Sequence, residues 1–243
     1  MHELRLSFVG TGNAFAPGGL CWNGFVLNER FLFEAPPQAL QSLNRMGMDP
    51  NDLDSVILSH HHGDHFLGLP FLLLHWKYFG RVRPVVIVGP PGTRELAMSI
   101  AERVYPGIAE MKFAVDWREV APGETTAVAG LDLQALPVKH DERLSATLGF
   151  TGSLDGRRLA YTGDSAMCEA VIEMARHAEV LVTECASIQD RVPIHMNLVD
   201  DMPALRAAMH PDAELILTHI DVGVTAAGMK RTRVAEDLAT YRF

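Results

Sequence analysis

Short apolar runs alternate with polar or glycine-rich segments along the chain, and their periods predict strands and helices. In the first half, period-two or continuous apolar runs predict strands at residues 4–9, 24–27, 31–33, 56–58 and 85–88. A helix is predicted after Pro37, where the apolar residues at helical spacing are Ala39, Leu40, Leu43 and Met46. Thr93 is the predicted N-cap of a second helix, which runs to about Val104.

The second half shows the same alternation of apolar runs and polar segments without repeating the sequence. The predicted strands lie at residues 113–115, 131–136, 147–150, 159–162, 180–183 and 215–218. The predicted helices lie at residues 167–175, 198–208 and 230–239. Antiparallel runs come first in each half and then alternate with helices. Because each sheet must bury one apolar face, this order predicts two sheets stacked face to face with helices outside.

Length and charge narrow the function classes. No linker, charge block or internal repeat divides the 243 residues, so we expect a single domain over 1–243. The chain carries 21 basic against 30 acidic side chains, a formal charge of -9. Proteins that bind long nucleic acid usually present a basic face, so the excess of acidic side chains argues against such a partner.

Cysteine usage and hydropathy bear on the compartment. The three cysteines are scattered and form no CxxC pair, which is typical of a reducing compartment. The most apolar stretch, residues 66–79, is interrupted by Pro70, His75 and Lys77 and falls short of the about 20 apolar residues that span a bilayer. We therefore expect a cytoplasmic protein without a membrane partner.

Four histidines and an aspartate crowd into seven residues after the strand at 56–58. The segment reads Ser59, His60, His61, His62, Gly63, Asp64 and His65. Burying so many polar groups is costly unless something compensates them. His60 and His62, two apart at the strand end, can chelate one ion. Asp64 and His65 follow the bend that Gly63 permits and can face a second ion. Imidazole and carboxylate ligands suit Zn, Mn or Fe.

Neither pair fills a coordination sphere, so further ligands must come from later in the chain. Three later segments each place a polar residue directly after an apolar strand, and these residues are His140, Asp164 and His219. Strand-end placement brings distant residues to one rim, where the sites of α/β proteins form. Taken alone, each could be an ordinary capped surface residue. The histidine cluster favours the ligand interpretation for all three.

The ordered set of motifs resembles the metallo-β-lactamase-fold hydrolases over nearly the whole chain. The match consists of His60-x-His62-x-Asp64-His65, His140, Thr162-Gly163-Asp164, Leu217-Thr218-His219 and the opening Gly10-Thr11-Gly12. The resemblance implies an α/β fold, a four-layer αβ/βα sandwich of two mixed β-sheets with helices outside. It also implies two divalent metal ions in a groove at one edge, with Zn²⁺ favoured and Mn²⁺ or Fe²⁺ as alternatives.

The resemblance also assigns the ligands by position. One metal would be held by His60, His62 and His140. The other would be held by Asp64, His65 and His219, with Asp164 bridging the two.

Within the superfamily the chain is most similar to the ribonuclease Z and cyclic-phosphodiesterase branch. Glu184 and His195 stand where that branch has a glutamate that orients a histidine beside the leaving group. The resemblance therefore implies three catalytic residues, with Asp64 orienting the nucleophile, His195 as general acid and Glu184 supporting it. Relatives on this branch are often homodimers, which implies the same assembly here.

Three features depart from the ribonuclease Z pattern. Glu34 lies in a Pro-containing segment, where those enzymes have an acidic, glycine-rich segment. The sequence shows no Gly/Pro-rich arm of the kind that binds tRNA. The loop before Asn23 also lacks the basic residue of that family. The expected function is therefore cleavage of a small or cyclic phosphodiester by metal-bound hydroxide. The expected partner is a small-molecule phosphodiester or ester.

Three other functions stay open. A lactonase or other carboxylic-ester hydrolase would use the same metals but leaves Glu184 and His195 without a role. A tRNA 3′-processing-like nuclease needs a basic clamp that the sequence does not display. A non-catalytic metal-binding module would not need the candidate general acid beside the seven ligands.

Overall fold

The computed structural model describes residues 3–243, so Met1 and His2 lie outside it. The described residues form fourteen strands: β1 Arg5–Gly10, β2 Gly24–Leu27, β3 Phe31–Phe33, β4 Ser55–Ile57, β5 Val85–Gly89, β6 Val115–Glu119, β7 Thr125–Val128, β8 Leu131–Pro137, β9 Leu148–Leu154, β10 Arg157–Tyr161, β11 Val180–Cys185, β12 Glu214–Ile220, β13 Thr232–Val234 and β14 Thr240–Arg242. The same part of the chain forms six α-helices: α1 Ala39–Arg45, α2 Gly63–Phe66, α3 Leu69–Tyr78, α4 Thr93–Val104, α5 Glu169–His177 and α6 Met202–Ala208. Two short 3-10 helices lie at Pro17–Gly19 and Pro50–Asp52.

The strands pair into two seven-stranded mixed sheets. The first has the order β14-β1-β2-β3-β4-β5-β6 and the second the order β13-β12-β11-β10-β9-β8-β7. Strands β3 to β6 run parallel, and so do β10 to β13, while the remaining pairs are antiparallel. The predicted α/β sandwich of two mixed sheets is therefore confirmed. No helix in residues 3–243 is long and apolar enough to cross a bilayer.

Three apolar clusters hold the layers together. One lies between the sheets, one packs α1, α3 and α4 on the outer face of the first sheet, and one packs α5 and α6 on the second. Between the sheets, the rings of Phe25 and Phe33 stack with centroids 4.7 Å apart. Tyr161 meets both rings edge-on, an arrangement that aromatic quadrupoles favour. Tyr161 ends β10, so this packing anchors the strand that leads to Asp164.

The predicted helix at residues 230–239 is wrong. This segment instead contains β13 and leads into β14, which extend the two sheets at β12 and β1. Arg231 and Leu238 have left-handed backbone conformations, with φ of 50° and 62°, which a continuous helix does not allow. Strand pairing with distant partners outweighed the local helical pattern.

Other boundaries also differ from expectation. Thr93 is the first residue of α4 rather than its N-cap, because Gly92 occupies the cap with φ 91°. The strand expected at 113–115 begins only at Val115, and β7 was not predicted. The helix expected from residue 198 begins at Met202, since the side chain of Asn197 accepts a hydrogen bond from the Asp200 amide and forms a turn there.

Candidate metal centre

The candidate ligands meet at one rim of the sandwich. The parallel strands of both sheets end there, and parallel strands deliver the residues that follow them to the same edge. His60 lies just after β4, Asp164 just after β10, and His219 within the last residues of β12. His140 follows β8 and closes the set. Four separated segments of the chain therefore contribute to one cluster.

Three groups of side chains in residues 3–243 are close enough to hold an ion, and two of them together contain the seven expected ligands, while the third combines His195 with Asp164 and His219. Every potential ligand atom within a group lies within 4.8 Å of the others. The first group consists of His60, His62, His140 and Asp164. The second consists of Asp64, His65 and His219. All seven residues expected as ligands are brought together, in the division that the resemblance implies.

Asp164 joins the two groups. Its Oδ2 atom lies 3.9 Å from His60 Nε2 and 3.8 Å from His140 Nε2, both in the first group. The same oxygen lies 3.4 Å from His65 Nε2 and 3.3 Å from His219 Nε2, in the second group. A single carboxylate surrounded by four imidazole nitrogens has the placement of a bridging ligand.

Several buried polar atoms of the cluster have no hydrogen-bond partner among the described residues. These atoms are His60 Nε2, His65 Nδ1, His65 Nε2, Asp164 Oδ1 and His219 Nδ1. Buried polar groups are almost always satisfied, and each exception calls for an explanation such as an ion. Nitrogen and carboxylate oxygen donors of this kind fit divalent zinc, manganese or iron. The residues therefore fit the metal ions that the sequence predicted.

Three histidines are oriented by a hydrogen bond on the opposite side of the ring. His60 Nδ1 lies 2.8 Å from Ser59 Oγ, and His140 Nδ1 donates to the Ile194 carbonyl at 3.0 Å. His62 Nε2 donates to Asp141 Oδ2 at 3.2 Å. Each contact leaves the other ring nitrogen facing the cluster, as is usual for metal-binding histidines.

His65 faces Glu34, a fully buried residue, at ion-pair distance and without a hydrogen bond between the facing atoms. Glu34 Oε1 lies 3.5 Å from His65 Nδ1, and Glu34 Oε2 accepts the Ser59 amide at 3.2 Å. Sequence reasoning treated Glu34 only as a departure from a pattern and did not identify Asp141 at all. A single carboxylate carries no spacing signal, although Asp141 directly follows a candidate ligand.

Unusual backbone conformations help to place two ligands. Gly163 has φ 59°, and a Cβ there would lie 2.8 Å from both the Leu148 carbonyl oxygen and Ser59 Cβ. Only glycine lets the β10 end approach β4 this closely. His219 has φ 49° and lies at a β-bulge between β11 and β12, which turns its ring toward Asp64 and Asp164.

The cluster combines buried imidazoles with two carboxylates. Burial, followed by the neighbouring His65, lowers the pKa of His60 well below its ordinary value. Burial raises the pKa of Asp164, but His219 and His65 outweigh it and hold that pKa well below its usual range. His60 is therefore a neutral donor and Asp164 an ionised one, which are the protonation states that metal ligands require.

A second carboxylate–histidine pair borders the cluster. His195 Nδ1 lies 2.9 Å from Glu184 Oε1, and the His195 ring packs against His140 with centroids 4.9 Å apart. Glu184 is buried at the end of β11 and also accepts the amides of Ser165 at 2.5 Å and Met196 at 3.3 Å. Burial lowers the pKa of His195, but the hydrogen bond to Glu184 outweighs it and raises that pKa to about 9.

Replacing Asp141 with alanine is expected to weaken metal binding. The substitution removes the carboxylate that orients His62, and loss of such partners typically lowers metal affinity about 10- to 100-fold. Competition with a chromophoric chelator would measure the change in the zinc dissociation constant. Asp132→Ala, at an exposed position on β8, is the matched control and should leave the constant unchanged. Equal constants for the Asp141 variant and the wild type would contradict the assigned role.

Comparisons with known proteins agree with this geometry. The model of the Beta-lactamase superfamily domain matches residues 29–220. A ribonuclease Z from Methanosarcina acetivorans is 25% identical over 269 positions, which cover 89% of this chain and 87% of the relative. The alignment is longer than the whole chain of 243 residues, so the relative contains segments that this chain lacks.

Solved structures share the fold. The short form of human tRNase Z superposes with a TM-score of 0.80 at 19% identity, covering 98% of both chains. A diphosphatase of the PhnP family superposes with a TM-score of 0.74 at 19% identity, covering 99% of this chain and 98% of the other. At these identities the likeness establishes the architecture and leaves the substrate to be argued from the site.

Proposed function

The chain belongs to the beta-lactamase superfamily and is a metal-dependent hydrolase, and we propose that it is a dinuclear phosphodiesterase that cleaves a small or cyclic phosphodiester. The proposal includes two Zn²⁺ ions as the bound metals. The observation that carries it is the position of Asp164, whose Oδ2 lies within 3.9 Å of four imidazole nitrogens from both ligand groups. This surrounding supports a carboxylate that bridges two ions, one on each side.

The residues divide the chemistry among them. Bound divalent ions polarise phosphoryl oxygens and lower the pKa of a water molecule. Asp64 lies 3.4 Å from His219 and is more open to the groove than Asp164, so it can accept a hydrogen bond from the attacking water and orient it. His195 is partly exposed and can donate its Nε2 proton to the departing oxygen, while Glu184 holds the opposite ring nitrogen.

The Glu184–His195 pair favours a phosphodiester over a lactone. The departing alkoxide of a phosphodiester needs a proton, and proton donation by a positioned acid typically contributes about 10²–10⁴ in rate. The raised pKa of His195 keeps that proton on the ring at neutral pH. A lactone also expels an alkoxide, so the preference for a phosphodiester comes from the resemblance, because Glu184 and His195 stand where the ribonuclease Z and cyclic-phosphodiesterase branch has its glutamate and histidine.

Charge and length favour a small substrate. The formal net charge is -9, whereas proteins that bind long nucleic acid neutralise several phosphates with basic side chains. The chain also lacks segments that its ribonuclease Z relative contains. A substrate that fits inside the groove requires neither a basic track nor an added arm.

Cleavage of RNA is the second candidate function. Several relatives that cover most of this chain carry the name ribonuclease Z, including those from Methanosarcina mazei and Myxococcus xanthus. A ribonuclease would use the same metals and the same Glu184–His195 pair. The two candidates therefore differ in substrate size and not in chemistry.

A substrate panel tests the proposal. Zinc-loaded protein would be assayed with bis-p-nitrophenyl phosphate, 2′,3′- and 3′,5′-cyclic nucleotides, an acyl lactone and a precursor tRNA. We expect turnover of small phosphodiesters and none of the lactone. Preferred cleavage of the tRNA would support the ribonuclease, and turnover of the lactone alone would contradict both phosphodiester functions.

A further inference from the structure

His219 is held in place differently from the three histidines of the first ligand group. Each of those three makes a hydrogen bond on the side of its ring that faces away from the cluster. His219 Nε2 instead lies 3.4 Å from Asp64 Oδ2 and 3.3 Å from Asp164 Oδ2, inside the cluster. Its Nδ1 has no hydrogen-bond partner among residues 3–243. The orientation of this ring therefore depends on the backbone that carries it.

The backbone of His219 adopts an uncommon conformation. Its φ is 49°, and it lies at the bulge between β11 and β12. Residues that carry a Cβ seldom adopt a left-handed conformation, and it persists where the surrounding structure fixes it. The next residue, Ile220, donates its amide to the Thr11 carbonyl at 2.8 Å and accepts the Asn13 amide at 3.1 Å. These two bonds fix the chain directly after His219.

A side-chain hydrogen bond fixes the chain directly before His219. Thr218 Oγ1 donates to Asn23 Oδ1 at 2.6 Å, and both residues are buried. Thr218 lies in β12 of the second sheet, whereas Asn23 directly precedes β2 of the first sheet. The bond therefore joins the two sheets beside the metal centre. Its loss would leave a buried polar group unsatisfied, which is more costly than the loss of an exposed bond.

The other side of the Asn23 amide is also held. Asn23 Nδ2 donates to the Tyr161 hydroxyl at 2.9 Å, and the Asn23 backbone amide donates to the Gly12 carbonyl at 3.1 Å. Tyr161 is buried and is the last residue of β10, the strand that leads to Asp164. One buried amide thus connects the ends of the two strands that deliver His219 and Asp164 to the cluster.

We propose that Asn23 is a positioning residue for the second ligand group, because its amide holds Thr218 and thereby keeps His219 within reach of the ion beside Asp64. This inference rests on the dinuclear centre of the proposed function. It adds that a residue of the first sheet sets the position of a ligand in the second. Thr218 adjoins a ligand of the second group only, so loss of its bond should weaken the binding of one ion more than the other.

Thr218→Val tests the proposal, because it removes the hydroxyl and nearly keeps the shape of the side chain. We expect the zinc dissociation constant of the second group to rise about 10- to 100-fold, the usual effect of losing a contact that orients a ligand. The constant of the first group should change less than about twofold. Competition with a chromophoric chelator gives both constants. Anomalous diffraction from zinc-loaded crystals, equilibrated at one free zinc concentration, assigns each ion to its group.

Three further variants separate positioning from general stability. Thr218→Ser restores the hydroxyl and should restore the wild-type constants. Tyr161→Phe removes the acceptor of the Asn23 amide and should also weaken the second group, so the test holds even if Thr218→Val does not fold. Thr126→Val, in the edge strand β7 of the same sheet, is the matched control and should change neither constant.

The same crystals also show where His219 lies. We expect its ring to move by more than about 0.5 Å in Thr218→Val, beyond the tolerance of such sites, and to stay in place in Thr218→Ser. Equal weakening of both ions, an equal loss in Thr218→Ser, or an unmoved ring with unchanged constants would overturn the positioning role. A wild type that holds only one ion, with a ring that moves in Thr218→Val, would support the positioning role and reject the dinuclear function instead.

Discussion

Asp164→Asn is expected to lower kcat/KM for a phosphodiester by at least about 10³-fold, because metal stabilisation of transition-state charge is worth several kcal/mol. Asp164 Oδ2 lies within 3.9 Å of nitrogen ligands of both groups. The amide has the same shape as the carboxylate but lacks its negative charge and offers an N–H₂ group to one of the ions. We therefore expect the variant to bind less than two ions per chain.

The measurement pairs steady-state kinetics with metal analysis after gel filtration. Asp155→Asn lies in the turn between β9 and β10, at φ 50°, a conformation that asparagine adopts readily, and serves as the control. It should keep full activity and metal content. If Asp164→Asn kept both wild-type activity and two bound ions, the bridging assignment would be wrong.

His195→Ala is expected to retain the metals but lose about 10²- to 10⁴-fold in kcat, the usual contribution of a positioned general acid. The His195 ring lies beside His140 and His219, yet its Nδ1 bonds to Glu184 rather than to a ligand. Metal content should therefore stay at the wild-type value while proton donation is lost.

The leaving group provides the signature of this role. A p-nitrophenolate departs with little protonation, so the loss should be smaller for p-nitrophenyl esters than for alkyl or cyclic esters. His177→Ala, an exposed histidine at the end of α5, is the control and should show neither effect. A loss of the same size for all leaving groups would contradict proton donation by His195.

The histidine motif was predictable from sequence because its signal is local. Four histidines and an aspartate within residues 59–65 directly follow a run of apolar strand residues, and strand ends deliver ligands to a rim. His140, Asp164 and His219 follow the same rule. The resemblance supplied their order, and the structure places all of them within the two ligand groups.

The contacts that orient the ligand histidines were not predictable, because their signal is not local in the sequence. Glu34 and Asp141 are single carboxylates, and only the folded chain brings one to His65 and the other to His62. The bulge that turns His219 toward the cluster is also a property of strand pairing, since it depends on how β11 and β12 register. Sequence patterns describe one element at a time and do not contain such relations.

The helix prediction for the C-terminal segment was wrong for a related physical reason. Residues 230–239 carry apolar positions at helical spacing, but β12 and β1 each present an open edge to this segment. The backbone groups of β13 and β14 satisfy those edges, and Tyr241 packs edge-on against Phe8 at 5.8 Å. Paired strands that complete two sheets stabilise the protein more than an isolated short helix would.

The central claim is that two ions bind between the seven ligands, and a direct count of metal tests it. Zinc-reconstituted protein, freed of excess metal by gel filtration, would be analysed by inductively coupled plasma mass spectrometry, with anomalous diffraction from a crystal to locate the ions. We expect two zinc ions per chain, one on each side of Asp164 Oδ2. Protein that binds no zinc in this groove, or that binds it away from His60, His140 and His219, would contradict the account.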